Sequence, residues 1–204
     1  MNDHSFILFA TMPRKRTIPD SDVLDAALDI VRAAGPDALS FGTLAARVGL
    51  AGSTIVQRFG TRAGLLRAAL LRAWDLLDEE TGRAIAAAGP GSHGVVEMLV
   101  RLSGQYDARD FADQLLILRE DVRDPVLRAR GEAWIATLVG AIENRLRATT
   151  DAKAGADADG LGGLVVAVWQ GTLTVWSFRP HGPVAAAVHG ALDELFHRLG
   201  FDPV

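Results

Sequence analysis

The stretch RVGLAGSTIVQRFGTRAGLL, Arg47 to Leu66, contains no Asp or Glu, although the chain carries a net charge of −4. Gly49 can take the left-handed backbone that closes a helix at little cost. Short helices are predicted on either side of it, Phe41 to Val48 and Gly52 to Phe59. Ser40 suits the N-cap of the first, with Leu39 and Leu44 at the positions of a hydrophobic staple. A short helix, a tight glycine turn and a second short helix make a helix-turn-helix. In that geometry Ala45 is small where the second helix crosses, Leu50 fills the angle, and Ile55 and Phe59 face inward. Gly52, Ser53, Thr54, Val56, Gln57 and Arg58 are left outward. These are mostly small or hydrogen-bonding residues, which lets a helix sink into a DNA major groove about 12 Å wide. Gln57 suits adenine edges, Arg58 guanine or phosphate, and Ser53 and Thr54 phosphate oxygens near the free N–H groups of the helix start. Ser40 and Thr43 are further candidates for this surface.

Charge is spread unevenly around that stretch. Residues 11–72 hold nine basic and five acidic residues, and the remainder twelve basic and twenty acidic. No acid falls between Asp37 and Asp75, whereas Arg47, Arg58, Arg62, Arg67 and Arg72 do. A basic head on an acidic body suits a protein that meets a polyanion with one face. It also suits ordinary solvated helices, so charge alone does not decide. Arg14-Lys15-Arg16, ahead of the first helix, fits either a minor-groove arm or a solubilising tail. Met12 is the more natural start, which would make residues 1–11 an extension.

Almost everything else reads as helix, and the predicted fold class is all-α. Asp20 to Ala34 places Val23, Ala26, Ala27, Ile30, Val31 and Ala34 on one face, and Gly35-Pro36 ends it. A fourth helix starts near Thr61 and runs to about Ala88. Beyond the break GPGSHG (Gly89 to Gly94), helices are predicted over 95–106, 109–122, 125–148, 161–177 and 183–199, with 151–160 a loop. The expected organisation is a flexible arm over 1–16, a helix-turn-helix DNA-binding domain over 17–62, and a larger helical domain over 63–204. The chain has no cysteine, which excludes disulfides and fits a reducing, cytoplasmic location. No apolar run approaches the ~20 residues of a membrane span.

The segment DAALDIVRAAGPDALSFGTLAARVGLAGSTIVQRFGTRAGLLRAAL, within residues 17 to about 77, resembles the TetR family of bacterial transcription regulators. The agreement lies in an Ala-rich amphipathic helix, a helix-turn-helix with its turn glycine, Phe59, and a fourth helix led by a cation. VVAVWQGTLTVW and the amphipathic helix after it look like that family's end. Val56 stands where the family usually has a phosphate-touching Tyr, Arg62 where Lys is usual, and Ala51 where a Ser or Thr cap is usual. The resemblance implies double-stranded DNA as partner and a homodimer through helices about 161–177 and 183–199. It also implies a small-molecule effector that releases a repressor from a palindromic operator.

The residues themselves leave some of this open. Leu161, Leu164, Val165, Val168, Thr172, Val175 and Trp176 form one stripe, and Val184, Val188, Ala191, Leu195 and Leu199 another. A dimer seam and a monomer core look alike in such stripes. By resemblance the middle helices enclose the effector, with Tyr106, Phe111, Gln114, Arg119, Trp134 and Trp169 as candidate lining; any single one of them reads more readily as core. An aromatic, weakly polar lining points to an apolar or aromatic ligand. His181, His189 and His197 recur every eight residues, and eight residues turn ~80° around a helix, too far to share a metal. No HExxH, GxSxG or phosphate-loop pattern is present. Neither a metal, a cofactor nor an enzymatic activity is expected. The rival reading is a helical ligand carrier or enzyme with a vestigial head, supported by Val56 and the missing cap at Ala51.

Overall fold

The computed structural model describes residues 18–104, 108–148 and 159–201, with backbone only at 108–113. Among the described residues there are nine α-helices: α1 (Asp20–Ala34), α2 (Phe41–Val48), α3 (Gly52–Phe59), α4 (Arg62–Ala87), α5 (Gly91–Ser103), α6 (Ala108–Arg123), α7 (Pro125–Arg147), α8 (Leu161–Phe178) and α9 (Val184–Arg198). Local chemistry sets the boundaries at the amino-terminal end. Gly35, at φ 78°, ends α1 and donates its N–H to the Val31 carbonyl at 2.8 Å. After a single 3-10 turn, Pro36–Ala38, Ser40 and Thr43 cap α2 reciprocally, each hydroxyl accepting the other's backbone N–H at 3.0 Å. Gly49, at φ 70°, closes α2 in the left-handed region. Ala51 gives α3 no side-chain cap, whereas Thr61 caps α4 by accepting from the Gly64 N–H at 3.0 Å.

Two hydrophobic cores follow. The first joins Val23, Ala27, Leu28 and Val31 of α1 to Leu39, Leu44 and Ile55, and to Leu65, Ala69 and Leu70 of α4. The buried face of α1 is centred nearer Leu28 than the periodicity suggests, and Ala34 is exposed. The second core is built from α5, α7, α8 and α9, with Met98, Leu99, Leu138, Ile142, Val165, Val188, Leu192 and Phe196 at its centre. Helix α4 belongs to both: its first half packs in the head, Ala84 in the body, and Trp74 against each. At 26 residues it is about 39 Å long. Five contacts stitch α4 to α7: Arg67 to Asp124, Arg130 to Asp75 and to Asp78, Trp134 to Thr81, and Arg145 to the Ile85 carbonyl.

Two expectations shift. Helix α5 begins at Gly91, four residues before the expected Val95, because the GPGSHG break is tighter than its composition suggests. A Cβ on Gly94 would sit 1.8 Å from the Gly89 carbonyl oxygen, so only glycine fits there. The stripe expected on α8 divides between two faces. Val165, Val166, Trp169, Leu173 and Trp176 are buried, while Leu164, Val175 and Phe178 are exposed. Val165 and Trp176 therefore separate from Leu164 and Val175, since the helix is apolar all round. By length and composition α8 could cross a membrane, with a mean hydropathy of 1.3 over 18 residues. Here its inner face is a core face, crossing α7 so closely that a Cβ on Gly162 would lie 2.8 Å from the Val139 carbonyl oxygen.

Candidate DNA-reading surface and ligand cavity

Helix α3 is held from beneath by Ile55, fully buried, and by Phe59, half-buried. Its outer side presents Ser53, Val56 and Gln57 to solvent, with Thr54 half-buried beside them. Val56 is 42% exposed, an apolar side chain among polar ones on a convex helix. Ser40 and Thr43 lie at the start of α2, where they spend their hydroxyls on the cap; the Thr43 hydroxyl also donates to the Ala38 carbonyl at 3.1 Å.

The arginines sit differently from the sequence expectation. Arg58 turns toward α1, its Nη1 donating to the Ile18 carbonyl at 2.8 Å and pairing with Asp20 at 3.0 Å; its side chain is 20% exposed. Arg62 donates to the carbonyls of Leu39 and Pro36 at 2.8 Å each and reaches Asp37 at 3.3 Å, with 46% of its side chain exposed. Arg47 pairs with Asp29 at 3.0 Å, Arg67 with Asp124 at 2.6 Å and Arg72 with Asp25 at 2.9 Å. The acid-free stretch is thus acid-free only along the chain. In space, every one of its arginines meets an aspartate from α1, the 3-10 turn or the start of α7. Between residues 18 and 72, six arginines face five aspartates, so the described head is close to neutral. The remaining surplus is Arg14, Lys15 and Arg16, which lie outside the described residues.

Behind the head, α4, α6, α7 and α8 enclose a cavity of about 560 Å³. Of the expected lining, Gln114, Trp134 and Trp169 are on its wall. Tyr106 and the Phe111 side chain lie outside the described residues. Arg119 faces a separate groove between head and body, with Gly35, Arg62 and Leu116. Trp74 of α4, Asp121 of α6 and Glu132 of α7 also line the cavity, and sequence reasoning passed over them as lining. Trp74 and Asp121 stand 47 residues apart, so no local pattern joins them. The whole chain has four tryptophans. Three of them meet here, with ring centroids 5.9 Å apart for Trp74 and Trp134 and 6.3 Å for Trp134 and Trp169. Gly131 makes room: a Cβ there would lie 3.3 Å from the Trp74 ring.

Asp121 is 8% exposed, and the Trp74 indole donates to it at 3.2 Å. Burial pushes its carboxyl above the usual carboxylate range; the Trp74 hydrogen bond opposes the rise and Glu120 adds to it. The ionised form is therefore a net cost to the folded state, a cost relieved as pH falls through the raised pKa. Glu120 on α6 and Arg128 and Glu132 across the cavity on α7 are the other charges nearby. Asp121→Asn, which keeps an acceptor for Trp74, is expected to raise the unfolding temperature at neutral pH. The advantage over the unchanged protein should shrink as pH is lowered, because protonated Asp121 no longer costs anything. Thermal unfolding of both proteins across the acidic range checks this, and an advantage that grows in acid contradicts it. Among the described residues, no group of three or more His, Cys, Asp or Glu side chains is arranged to hold a metal ion.

Comparison with known proteins adds to this geometry. The family model for bacterial regulatory proteins of the tetR family matches residues 23–69, which contain most of α1, all of α2 and α3, and the start of α4. No curated protein matches the chain. Several solved structures share the fold. A transcriptional regulator from Rhodococcus sp. Rha1 superposes with a TM-score of 0.68 at 16% identity, covering 89% of this chain and 97% of that one. The transcriptional regulator FadR from Bacillus subtilis, solved with stearoyl-CoA, gives 0.63 at 15% identity, covering 87% and 97%. The multidrug binding protein EbrR, solved with proflavin, gives 0.55 at 23% identity, covering 85% and 96%.

Proposed function

We propose that the chain is a member of the tetR family of bacterial regulatory proteins, whose model matches residues 23–69, and that it is a homodimeric repressor released from a palindromic operator by a small aromatic or apolar ligand. It would act in the cytoplasm, where bacterial DNA lies. One observation carries the reading: a single helix, α4, ends at the DNA-reading head and also walls the ligand cavity through Trp74 and Leu77.

Ser53, Thr54, Val56 and Gln57 form the reading surface, with Gln57 on a base edge, Val56 against a thymine methyl and the hydroxyls on phosphates. Ser40 and Thr43 flank it at the start of α2. Arg58 braces α3 against the chain entering α1. Arg62 holds the 3-10 turn with two hydrogen bonds and can exchange Asp37 for a phosphate without letting go. We propose the division expected from the sequence, a head over 17–62 and a ligand-binding and dimerising body over 63–204; the arm expected over 1–16 lies outside the described residues. Two copies pair through α8 and α9, whose outward face carries Leu164, Val175 and Phe178 exposed in the single chain. That pairing sets two copies of α3 about one DNA turn apart, ~34–36 Å.

Release is a population shift. A ligand seated against Trp74 favours the arrangement in which α4, carrying the head, has moved and the two reading helices no longer match successive grooves. A ligand that fits both arrangements equally shifts nothing.

The division of labour between the two arginines is testable by titrating operator DNA at several salt concentrations. Arg62→Ala is expected to flatten the slope of log K against log salt by about one unit. Arg58→Ala is expected to leave the slope unchanged and to lower the unfolding temperature. The opposite assignment of slope and stability contradicts the account of these residues, and a slope near zero in the unchanged protein contradicts phosphate binding altogether.

A further inference from the structure

The cavity wall expresses a preference in charge as well as in shape. Each of its three indole N–H groups is already bonded within the protein: Trp74 to Asp121 at 3.2 Å, Trp134 to Thr81 at 2.9 Å and Trp169 to Ser103 at 2.9 Å. The rings are therefore fixed, and what remains to an occupant is the part of their faces that lines the cavity, Trp74 above all, since Trp134 and Trp169 are buried. Those faces are electron-rich and attract cations, Trp the most strongly of the aromatic residues.

Asp121 shares the same wall. Among the described residues no cationic side chain pairs with it; its one hydrogen bond is the long one from Trp74. The other charges of the lining, Arg128 and Glu132, lie 3.9 Å apart as an i, i+4 pair and offset one another. Among the described residues Asp121 is thus the uncompensated charge of a cavity lined mainly by apolar and aromatic side chains. A carboxylate there costs stability, and Asn of the same shape would meet the Trp74 N–H without that cost. A positive charge on the occupant is what the carboxylate answers to.

We infer that the cavity binds a lipophilic organic cation, its positive centre held between the Trp74, Trp134 and Trp169 faces and the Asp121 carboxylate. The inference rests on the cavity being the effector site of the proposed repressor. It adds the sign of the effector's charge.

The test uses two ions of the same shape and opposite charge, tetraphenylphosphonium and tetraphenylborate, titrated into the full chain by calorimetry. The phosphonium is expected to bind saturably, at least about tenfold more tightly than the borate. Asp121→Asn should weaken it by about tenfold while leaving the borate no worse, and Asp121→Glu should recover part of the loss. Thermal unfolding of the variants separates this from misfolding. Equal binding of the two ions, binding of neither, or indifference to Asp121→Asn overturns the inference. Release of operator DNA is read separately. Phosphonium binding that depends on Asp121 but leaves the operator bound sustains the cation site and removes the effector reading. Release by an uncharged or anionic compound, with the phosphonium silent, does the reverse.

Discussion

Val175→Glu is expected to convert the proposed dimer to a monomer and to abolish tight operator binding, with the fold intact. Val175 is 66% exposed in the single chain, so a carboxylate there stays in water and costs the monomer little. In the last turn of α8, on its outward face, the same carboxylate would be buried without a partner on pairing, once from each copy. An unpaired buried charge costs several kcal/mol, about 3–5 for each broken environment, so dimerisation should weaken by a thousandfold or more. Operator affinity falls with it, because two linked heads gain roughly 10²–10⁴ over one. Sedimentation equilibrium and operator titration read the two effects. A dimer that survives Val175→Glu, and still grips DNA, removes α8 from the interface.

The second large effect is at the reading helix. Gln57→Glu is expected to reduce operator affinity by about a hundredfold or more, with unfolding temperature, dimerisation and cavity binding unchanged. Gln57 is solvent-exposed on α3 and makes no hydrogen bond among those described, so the fold has nothing to lose there. In the proposed complex with DNA, the substitution would replace a group suited to an adenine edge by an anion held among phosphates. A lost bidentate pair is worth about 1–3 kcal/mol and like-charge juxtaposition several more. Unchanged affinity would take Gln57, and with it the outer face of α3, off the DNA.

The head is legible in the sequence because its signals are local. Ser40, Gly49 and Thr61 each act on backbone groups within a few residues, and the structure uses them as caps and turn where the sequence places them. The helices of the body are legible for the same reason, within a few residues at their ends. What escapes is whatever the chain assembles from far apart. The partners of Arg47, Arg58, Arg67 and Arg72 come from 18 to 57 residues away, so a count of acids along the segment overstates the charge of the surface. Asp124 shows the same limit. Partial burial disfavours its charge, but Arg67 and the backbone amides of Val126 and Leu127 hold its carboxyl below the ordinary range, and so it caps α7 and ties that helix to α4 at once. Asp121 reads as one more polar residue of an amphipathic helix until Trp74 is seen to bond it. The two faces of α8 cannot be told apart by hydropathy when both are apolar; only the packing of α6, α7 and α9 against it reveals which is spare.

In the proposed regulator an exposed helix enters a duplex twice, in two-fold register. Selection of binding sites from a pool of randomised duplex DNA by the purified full chain tests this most directly. An inverted repeat with half-sites about one helical turn apart, lost when the selection is repeated with Gln57→Glu, is the predicted result. Enrichment of no sequence above non-specific binding, or of a single unrepeated half-site, contradicts it.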